Sequence, residues 1–464
     1  MYVWTSIKIG SPLKKYLTSY WIRSALFTFL QRFSLTLFGF INFIILIRGL
    51  TKPQMGLWAF FLVVTTLFET TKSYLLKSAH IKFVGNNDKD KTSIASSSIV
   101  INVALTLLFI SFLFLFSGKL SFWLSAGNEL EEMLRWYIPG MLFLIFFSHF
   151  EAVCQSHLDF KGVFAGYFVR QLLFFGVILG YALFKIPFSL IQLVIYQTIC
   201  TVVGTLVIFL FSKKYLLYIF NPSIKWLKML LGFGGYIFGS GIATNIFANL
   251  DQLMIAKFTS SKAMVANYNA ATRISALVDI PSYSAAEILL PKVSQVDITE
   301  GFDKVKYMYE RMVGVLLCIT VPMALLIFFF PQIIIKIIAG PQYEESSFIL
   351  QMYMLSALIK PIQNQAANIL LYIGKARLCF LLNLVFLVIN FGLNYFFLLN
   401  FGPYGAAVGN VVAYTLATIV WYGILRININ VKYFNIAKYA AETYKTIFAK
   451  AFMIIKLKQP KTVV

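Results

Sequence analysis

The sequence predicts an all-α integral membrane protein with twelve transmembrane helices in two six-helix bundles. Hydrophobic residues make up 59% of the chain. Charged residues make up only 12%, compared with about 25% in ordinary soluble domains. Twelve apolar segments are each long enough to cross a bilayer, which takes about 20 residues. A basic connection in the middle of the chain separates the first six segments from the last six.

The predicted spans follow one another with short connections, so no extramembrane domain is expected. The first half supplies residues 23–48, 54–80, 93–117, 130–154, 162–184 and 188–212. The second half supplies residues 226–256, 262–290, 311–335, 345–373, 376–400 and 403–425. The predicted domains are an N-terminal bundle at 1–212, a cytoplasmic linker at 213–225, a C-terminal bundle at 226–427 and a basic tail at 428–464.

The distribution of Lys and Arg predicts the orientation of the spans. Alternate connections along the chain are richer in Lys and Arg, and connections of this kind face the cytoplasm. We therefore expect both termini to lie in the cytoplasm. Orientation and attraction to anionic membrane lipids explain the net charge of +22, so nucleic acid is not expected as a partner.

The tail is predicted to form an amphipathic helix that lies on the cytoplasmic surface of the membrane. Its lysines alternate with large apolar residues, a pattern typical of helices that bind anionic lipid. The residues concerned are Lys438, Lys445 and Lys456 with Phe448, Phe452 and Ile455. The alternative is a frayed basic tail, and neither interpretation implies catalysis.

A weak internal repeat supports the division into two halves. Residues 47–61 and 256–271 each carry a cation at the end of one span, Arg48 or Lys257. A short polar turn follows in both, and then a small residue and an aromatic residue open the next span. The two copies lie half a chain apart and have the same orientation. Parallel repeats with a substrate path between them are typical of secondary transporters.

Several cations are predicted to lie at membrane depth. They are Arg32, Arg170, Arg273 and Lys360. A charged side chain there costs at least about 2.5–3.5 kcal/mol, so it faces a cavity or a partner. Structural ion pairing is one explanation. Cations contributed by both halves favour a hydrated central cavity that binds an anionic substrate.

Acidic and amide side chains complete the predicted lining. Glu69 and Lys72 either neutralise each other or have a functional role. Asp251, Asp279 and Glu287 are expected to pair with the cations or to bind a coupling ion. Asn245 and Asn249 share one helical face with Gln252, and Asn364 aligns with Lys360 in a later span. These amides line the cavity or form hydrogen bonds between helices.

Neither a metal site nor a cofactor site is predicted. The four Cys lie far apart in apolar segments, and the three His form no ligand motif.

Two stretches resemble polysaccharide-biosynthesis flippases. The first is LQRFSLTLFGFINFIILIRGLTKPQMGLWAFF, at residues 30–61. The second is NLDQLMIAKFTSSKAMVANYNAATRISALVDIPSYSAAEILLPKVSQ, at residues 249–295, with Asp251, Tyr268, Arg273, Pro281 and Pro291 at family-like positions. The chain is thus similar to the Wzx-type, O-antigen and exopolysaccharide branch of the multidrug/oligosaccharidyl-lipid/polysaccharide (MOP) superfamily.

The resemblance implies a fold like that of the MATE transporters, with a V-shaped central cleft. It also implies a flippase that moves an undecaprenyl-pyrophosphate-linked oligosaccharide from the inner to the outer leaflet by alternating access. The cargo would be an O-antigen, capsule or exopolysaccharide repeat unit. Cleft cations in such proteins meet the pyrophosphate, a role that would fall here to Arg32, Arg273, Lys360 and Arg170. The pathway's glycan polymerase and other assembly proteins would be partners.

Two other functions remain open at this point. A cation-coupled drug exporter on the same fold would favour acidic residues at membrane depth over arginines. A membrane glycan polymerase or ligase would need a long outer loop with catalytic residues, and no predicted outer connection is long. The prediction is therefore a transporter and not an enzyme. The two extra helices of lipid II flippases are not predicted in this chain.

Overall fold

Helices account for nearly all of the described chain. The computed structural model describes residues 20–86, 90–216, 220–294, 302–373 and 375–457, and no strand occurs among them. Helices satisfy their backbone hydrogen bonds internally, which a segment in hydrocarbon requires. The predicted all-α class is confirmed. The chain divides into two compact units, Met1–Ile242 and Ala243–Val464, which are described separately.

The described part of unit 1 contains eight helices and the start of a ninth. They are α1 (Tyr20–Gly49), α2 (Lys52–Lys72), α3 (Ser78–Asn86), α4 (Lys91–Trp123), α5 (Asn128–Trp136), α6 (Ile138–Ser156), α7 (Phe160–Leu183), α8 (Leu190–Ser212) and α9 (Ile224–Thr259). Helix α7 packs against α1 and α8, and α6 packs against α3, α4 and α8. This packing brings polar residues of α2, α6 and α7 together inside the unit.

Two of the predicted spans in unit 1 are interrupted. A π-helical turn at Ser73–Lys77 joins α2 to α3. Such a turn adds one residue to the helical repeat and is frequently found at functional sites. The span predicted at 130–154 breaks at Tyr137, and Pro139 lies in the first turn of α6, where the proline's missing N–H costs no hydrogen bond.

Among its described residues, unit 2 contains the rest of α9 and seven further helices. They are α10 (Lys262–Ser294), α11 (Asp303–Phe329), α12 (Pro331–Ile338), α13 (Ser346–Tyr372), α14 (Ala376–Phe401), α15 (Gly405–Ile429) and α16 (Tyr433–Leu457). Helix α13 is central, because it packs against α10, α11 and α15. Helix α14 packs against α15 on the other side.

The C-terminal helix α16 packs along α11. Both carboxylate oxygens of the buried Glu310 accept hydrogen bonds at the start of α16: Oε1 from the Lys432 backbone N (2.8 Å) and Oε2 from Asn435 Nδ2 (2.8 Å). Further along, Tyr444 donates its hydroxyl hydrogen to the Cys318 carbonyl (3.0 Å). The sequence did not indicate this contact. The predicted position of the tail on the membrane surface stays a prediction.

Membrane insertion accounts for the exposed apolar surface. Eight helical segments of the described chain are long and apolar enough to cross a membrane, and large apolar side chains such as Leu108 and Leu115 of α4 are more than two-thirds exposed. The chain is therefore a multi-pass membrane protein. The total of twelve spans and the domain limits drawn from the sequence stay predictions.

Candidate functional site

A buried carboxylate lies at the centre of a hydrogen-bond network in unit 2. Asp251 of α9 accepts hydrogen bonds from Tyr353 Oη (2.6 Å), Asn394 Nδ2 (2.7 Å) and Asn410 Nδ2 (2.6 Å). The donors come from α13, α14 and α15. Asn394 also donates to Asn390 Oδ1 (3.0 Å). All five side chains are buried.

Neutral groups alone make direct contact with Asp251. No Lys or Arg of the described chain lies within ion-pair distance of its carboxylate, and Lys360 acts on it only at longer range. A buried charge without a direct counter-ion is stabilised by its hydrogen bonds, which are stronger to a charged acceptor. This arrangement allows Asp251 to gain or lose a small cation without breaking a salt bridge.

Lys360 is paired with a carboxylate. Its Nζ lies 3.1 Å from Asp279 Oδ2 and 5.3 Å from the ring centroid of Tyr414. Both members of the ion pair are largely buried, and Pro361 follows Lys360 inside α13. For Lys360 and Asp279 the structure favours the ion-pairing explanation offered by the sequence.

Arg273 differs from Lys360, the other predicted cleft cation of unit 2. It is exposed on α10, and it makes neither an ion pair nor a hydrogen bond with any described residue. At a rise of about 1.5 Å per residue it lies roughly 16 Å along α10 from Lys262. If the predicted span 262–290 crosses the membrane from Lys262, Arg273 lies near the middle of a hydrocarbon core about 30 Å thick. A guanidinium at this depth is costly unless water or an anion reaches it.

Arg170 in unit 1 is buried and paired. Its Nη2 lies 3.4 Å from Glu69 Oε1, and its guanidinium lies 5.7 Å from the ring centroid of Phe147. Tyr137 donates its hydroxyl hydrogen to the same Glu69 oxygen (2.8 Å). Glu69 thus pairs across to α7. Pairing of Glu69 with Lys72, one of the two explanations offered by the sequence, stays a prediction because the Lys72 side chain lies outside the described residues.

A second carboxylate of unit 1 lies close to this pair. Glu151 of α6 accepts a hydrogen bond from Lys77 Nζ (2.6 Å) and another from Tyr167 Oη (3.0 Å). A cavity of about 30 Å³, roughly one water, lies between Glu69, Arg170, Tyr167 and Glu151. Glu69 precedes the π-helical turn and Lys77 is its last residue. The ion pairs that these two residues form therefore hold the helix at both ends of the turn.

The remaining predicted residues take different positions. Arg32 is exposed on α1, and Asn364 is half-buried on α13 without a hydrogen-bond partner among the described residues. Asn249 donates to the Asn245 carbonyl (2.9 Å) within α9. The side chains of Lys72 and Glu287 lie outside the described residues.

The amide stripe of α9 is directed partly at α10. Gln252 Oε1 accepts a hydrogen bond from Asn269 Nδ2 (3.4 Å), and Gln252 Nε2 donates to Thr272 Oγ1 (3.5 Å). Hydrogen bonds between α9 and α10 therefore explain Gln252, the last residue of the stripe. Within the described part of the chain, no cluster of His, Cys, Asp and Glu side chains is arranged to hold a metal ion.

The sequence did not identify every member of these networks. Glu151 was detectable as an ionisable residue inside a predicted span, which is a functional hypothesis by default. Tyr353 and Asn410 gave no such signal, because a single Tyr or Asn in an apolar helix is commonplace. Only the packing of α13 and α15 against α9 brings them to Asp251.

Comparison with protein families gives one match over most of the chain. Residues 45–348 match the family described as polysaccharide biosynthesis protein. A probable low-salt glycan biosynthesis flippase, Agl15 of Haloferax volcanii, is 21% identical over 213 residues, 46% of this chain and 45% of that one. An uncharacterized membrane protein of Methanocaldococcus jannaschii is 25% identical over 203 residues, 43% of this chain and 40% of that one. The chain spans less than half the length of each of these relatives.

Solved structures match over nearly the full length. The lipid II flippase MurJ, in an inward closed conformation, superposes with a TM-score of 0.74 at 16% identity, covering 92% of this chain and 93% of that one. An inward-facing multidrug resistance MATE transporter of the MOP superfamily gives a TM-score of 0.73 at 18% identity, covering 85% and 94%. At these identities the likeness establishes the fold.

Proposed function

This chain belongs to the polysaccharide biosynthesis protein family, and from that premise we propose that it flips a lipid-linked oligosaccharide across the membrane by alternating access. The predicted resemblance to flippases of the MOP superfamily is confirmed, as is the MATE-like fold. The proposed cargo is an undecaprenyl-pyrophosphate-linked repeat unit of O-antigen, capsule or exopolysaccharide. The proposed membrane is the bacterial inner membrane, with both termini in the cytoplasm.

The observation that carries the proposal is the exposed Arg273 near mid-depth of α10. Arg170 and Lys360 are already neutralised by Glu69 and Asp279, whereas Arg273 is not neutralised by any described residue. A planar guanidinium matches a phosphate oxygen pair, and charge-assisted bonds of this kind are about twice as strong as neutral ones. An unneutralised arginine at this depth suits a cargo that brings its own negative charge, as a pyrophosphate does.

Transport is needed because the cargo's sugars cannot cross hydrocarbon unaided. Each hydroxyl would lose its hydrogen bonds to water, at a cost of roughly 2–7 kcal/mol per group. Polar side chains along a path replace those bonds, and the polyprenyl tail remains in lipid. The chemistry required is binding and release, so no catalytic residue is proposed. A glycan polymerase and other assembly proteins would act on the flipped unit.

We assign the coupling ion to Asp251. Its three neutral donors hold the carboxylate in place whether or not a cation is bound, because none of them is itself a cation. Binding of a proton or Na⁺ there would change the charge at the centre of unit 2. From the sequence, Asp251 could either pair with a cationic side chain or bind a coupling ion. The absence of a direct counter-ion among the described residues supports the coupling role.

Flipping by the reconstituted protein tests the cargo proposal. Proteoliposomes would contain a fluorescent polyprenyl-pyrophosphate oligosaccharide, and a quencher that cannot cross the membrane would report its transfer between leaflets. We expect Arg273→Gln to abolish transfer, Arg273→Lys to retain part of it, and Arg377→Gln, at an exposed position at the start of α14, to leave it intact.

Two results would contradict the proposal. One is transfer by Arg273→Gln at the wild-type rate. The other is a wild-type protein that exports a cationic drug from the same liposomes and leaves the lipid-linked oligosaccharide in place, which would support the drug-exporter alternative.

A further inference from the structure

All three histidines of the chain line one cavity in unit 1. The sequence contains only His80, His149 and His157, and they lie far apart along it. The fold brings them to a cavity of about 260 Å³ between α3, α4, α6 and the connection that follows α8. This cavity is separate from the Glu69, Arg170 and Glu151 network described above, and the proposed flippase mechanism does not use it.

Two of the histidines present unsatisfied nitrogens. His80 is 1% exposed and His149 is 7% exposed, and their rings meet edge to face with centroids 6.0 Å apart. The Nδ1 of each is buried without a hydrogen-bond partner among the described residues. A buried polar atom of this kind costs about 1–3 kcal/mol unless something satisfies it. Both rings line the cavity, so a ligand there can satisfy these atoms once the rings turn to present them.

The lining favours a negatively charged group. Lys91, Ser96 and Tyr215 supply the other polar side chains, and no carboxylate is among the described lining residues. Helix α4 begins at Lys91, and the first turn of a long helix attracts negative charge. An imidazole can carry its proton on Nδ1 and donate it to a phosphate oxygen. Metal binding is not indicated, because the described residues include no metal-type cluster.

The rest of the wall is apolar and opens at the surface. Val84, Ile99, Phe150, Val153 and Leu216 contribute to it. At its edge Phe146 is 46% exposed and Phe220 is 67% exposed. The volume equals that of about eight or nine waters at about 30 Å³ each, which suits a phosphate with its glycerol but not a whole lipid. Acyl chains would have to leave past the exposed aromatic rings.

We infer that this cavity binds the phosphate headgroup of an anionic membrane phospholipid, with its chains in the surrounding bilayer. The cavity lies where α4 begins and α6 ends, at the level at which headgroups meet the ends of spans. A free phosphate would satisfy the histidines but would leave the apolar wall unused.

A bound headgroup would also hold the connection between α8 and α9 in place. Tyr215 stacks on His157 with ring centroids 4.5 Å apart, and the Asn221 backbone N donates to Ser96 Oγ (3.1 Å). These contacts join the connection to α4 and to the end of α6. The lipid would therefore bridge this connection to α4 and α6, and this role does not depend on which cargo the protein carries.

Lipid retention by the purified full-length protein tests the inference. The delipidated protein would be titrated with phosphatidylglycerol, with diacylglycerol and with inorganic phosphate, and bound species would be counted by native mass spectrometry. Ala95→Phe fills the cavity, while Ala104→Phe places the same side chain at an exposed position of the same helix. His80→Phe and His149→Phe keep an aromatic ring, slightly larger than imidazole, and remove the nitrogens.

We expect the wild type and Ala104→Phe to retain one phosphatidylglycerol that Ala95→Phe does not retain. Each histidine variant should weaken retention by about tenfold or more, which corresponds to one charge-assisted hydrogen bond. Equal retention of diacylglycerol, equal binding of inorganic phosphate, or full retention by Ala95→Phe would each overturn the inference. The comparison of the three ligands on the wild type decides the result even if a variant does not fold.

Discussion

Replacement of Asp251 by Ala or by Asn should separate its structural role from its proposed coupling role. Asp251→Ala removes the acceptor from Tyr353, Asn394 and Asn410, and leaves three buried donors without a partner. At about 1–3 kcal/mol for each orphaned donor, the loss is roughly 3–9 kcal/mol. A change of 1 kcal/mol shifts the melting temperature of a unit this size by about 2–4 °C, so the loss should exceed 6 °C.

Asp251→Asn should be far milder. The Oδ1 atoms of Asn394 and Asn410 lack partners among the described residues, so either amide can rotate and accept from the new Nδ2. Tyr353 and the amide that does not rotate then keep their acceptor, and the new Nδ2 gains one. Only the NH2 group of the rotated amide loses its acceptor, so we expect a loss of about 1–3 kcal/mol. The carboxylate, however, is gone. Transport driven by an imposed H⁺ or Na⁺ gradient should stop.

Two measurements decide this prediction. Thermal unfolding of the purified variants in detergent gives the stability difference, and gradient-driven flipping in proteoliposomes gives the coupling. Equal melting temperatures for Ala and Asn would refute the hydrogen-bond reasoning. A stable Asp251→Asn protein that still responds to both gradients would refute the coupling role and leave the network as a purely structural one.

Three further predictions address other parts of the fold. The pair Lys77–Glu151, whose carboxylate is buried, should show a coupling energy of at least about 1 kcal/mol in a Lys77→Met, Glu151→Gln double-mutant cycle measured by thermal unfolding. The more exposed pair Glu131–Arg135 should show less than that, and equal couplings would contradict the prediction. Burial alone would raise the pKa of Asp159, but hydrogen bonds from Lys214, the Gly162 backbone and Tyr215, with the lysine's charge, leave that pKa below its usual 3.8. The stability that the ionised Asp159 provides should be present above pH 3.8 and disappear as pH falls through the lowered pKa. Protease cleavage of the 213–223 connection should therefore rise below pH 3.8 in the wild type, and Asp159→Asn should remove this dependence on pH. Gly405→Ala should cost about 1–3 kcal/mol because a Cβ there overlaps the Phe397 carbonyl, whereas Gly423→Ala, in open space on the same helix, should stabilise by up to about 1 kcal/mol; the same unfolding assay compares them.

The helices were predictable because their signal lies in consecutive residues. Runs of apolar side chains specify α4, α8 and α15 directly, and their observed bounds agree with the predicted segments to within a few residues. The π-helical turn at Ser73–Lys77 was not predictable, because its sequence is equally compatible with a regular helix. Its presence depends on which residues the two sides of the helix contact.

The partners of the charged residues were predictable only as a class. The sequence indicates that an ionisable group at membrane depth needs a partner, but it does not say which one. Glu69 illustrates the limit, because it contacts Arg170, about a hundred residues away along the chain, and nothing in the sequence singles out that partner. The three histidines are a second case, since a shared cavity leaves no trace in their spacing along the chain.

The π-helical turn at Ser73–Lys77 makes unit 1 respond differently to the loss and to the gain of a residue. The turn already absorbs one extra residue, so deletion of one residue from 73–77 would restore a regular helix and leave α2 and α3 in register. An inserted residue that no second bulge absorbs would rotate everything after it by about 100°. His80 would then leave the wall it now shares with His149.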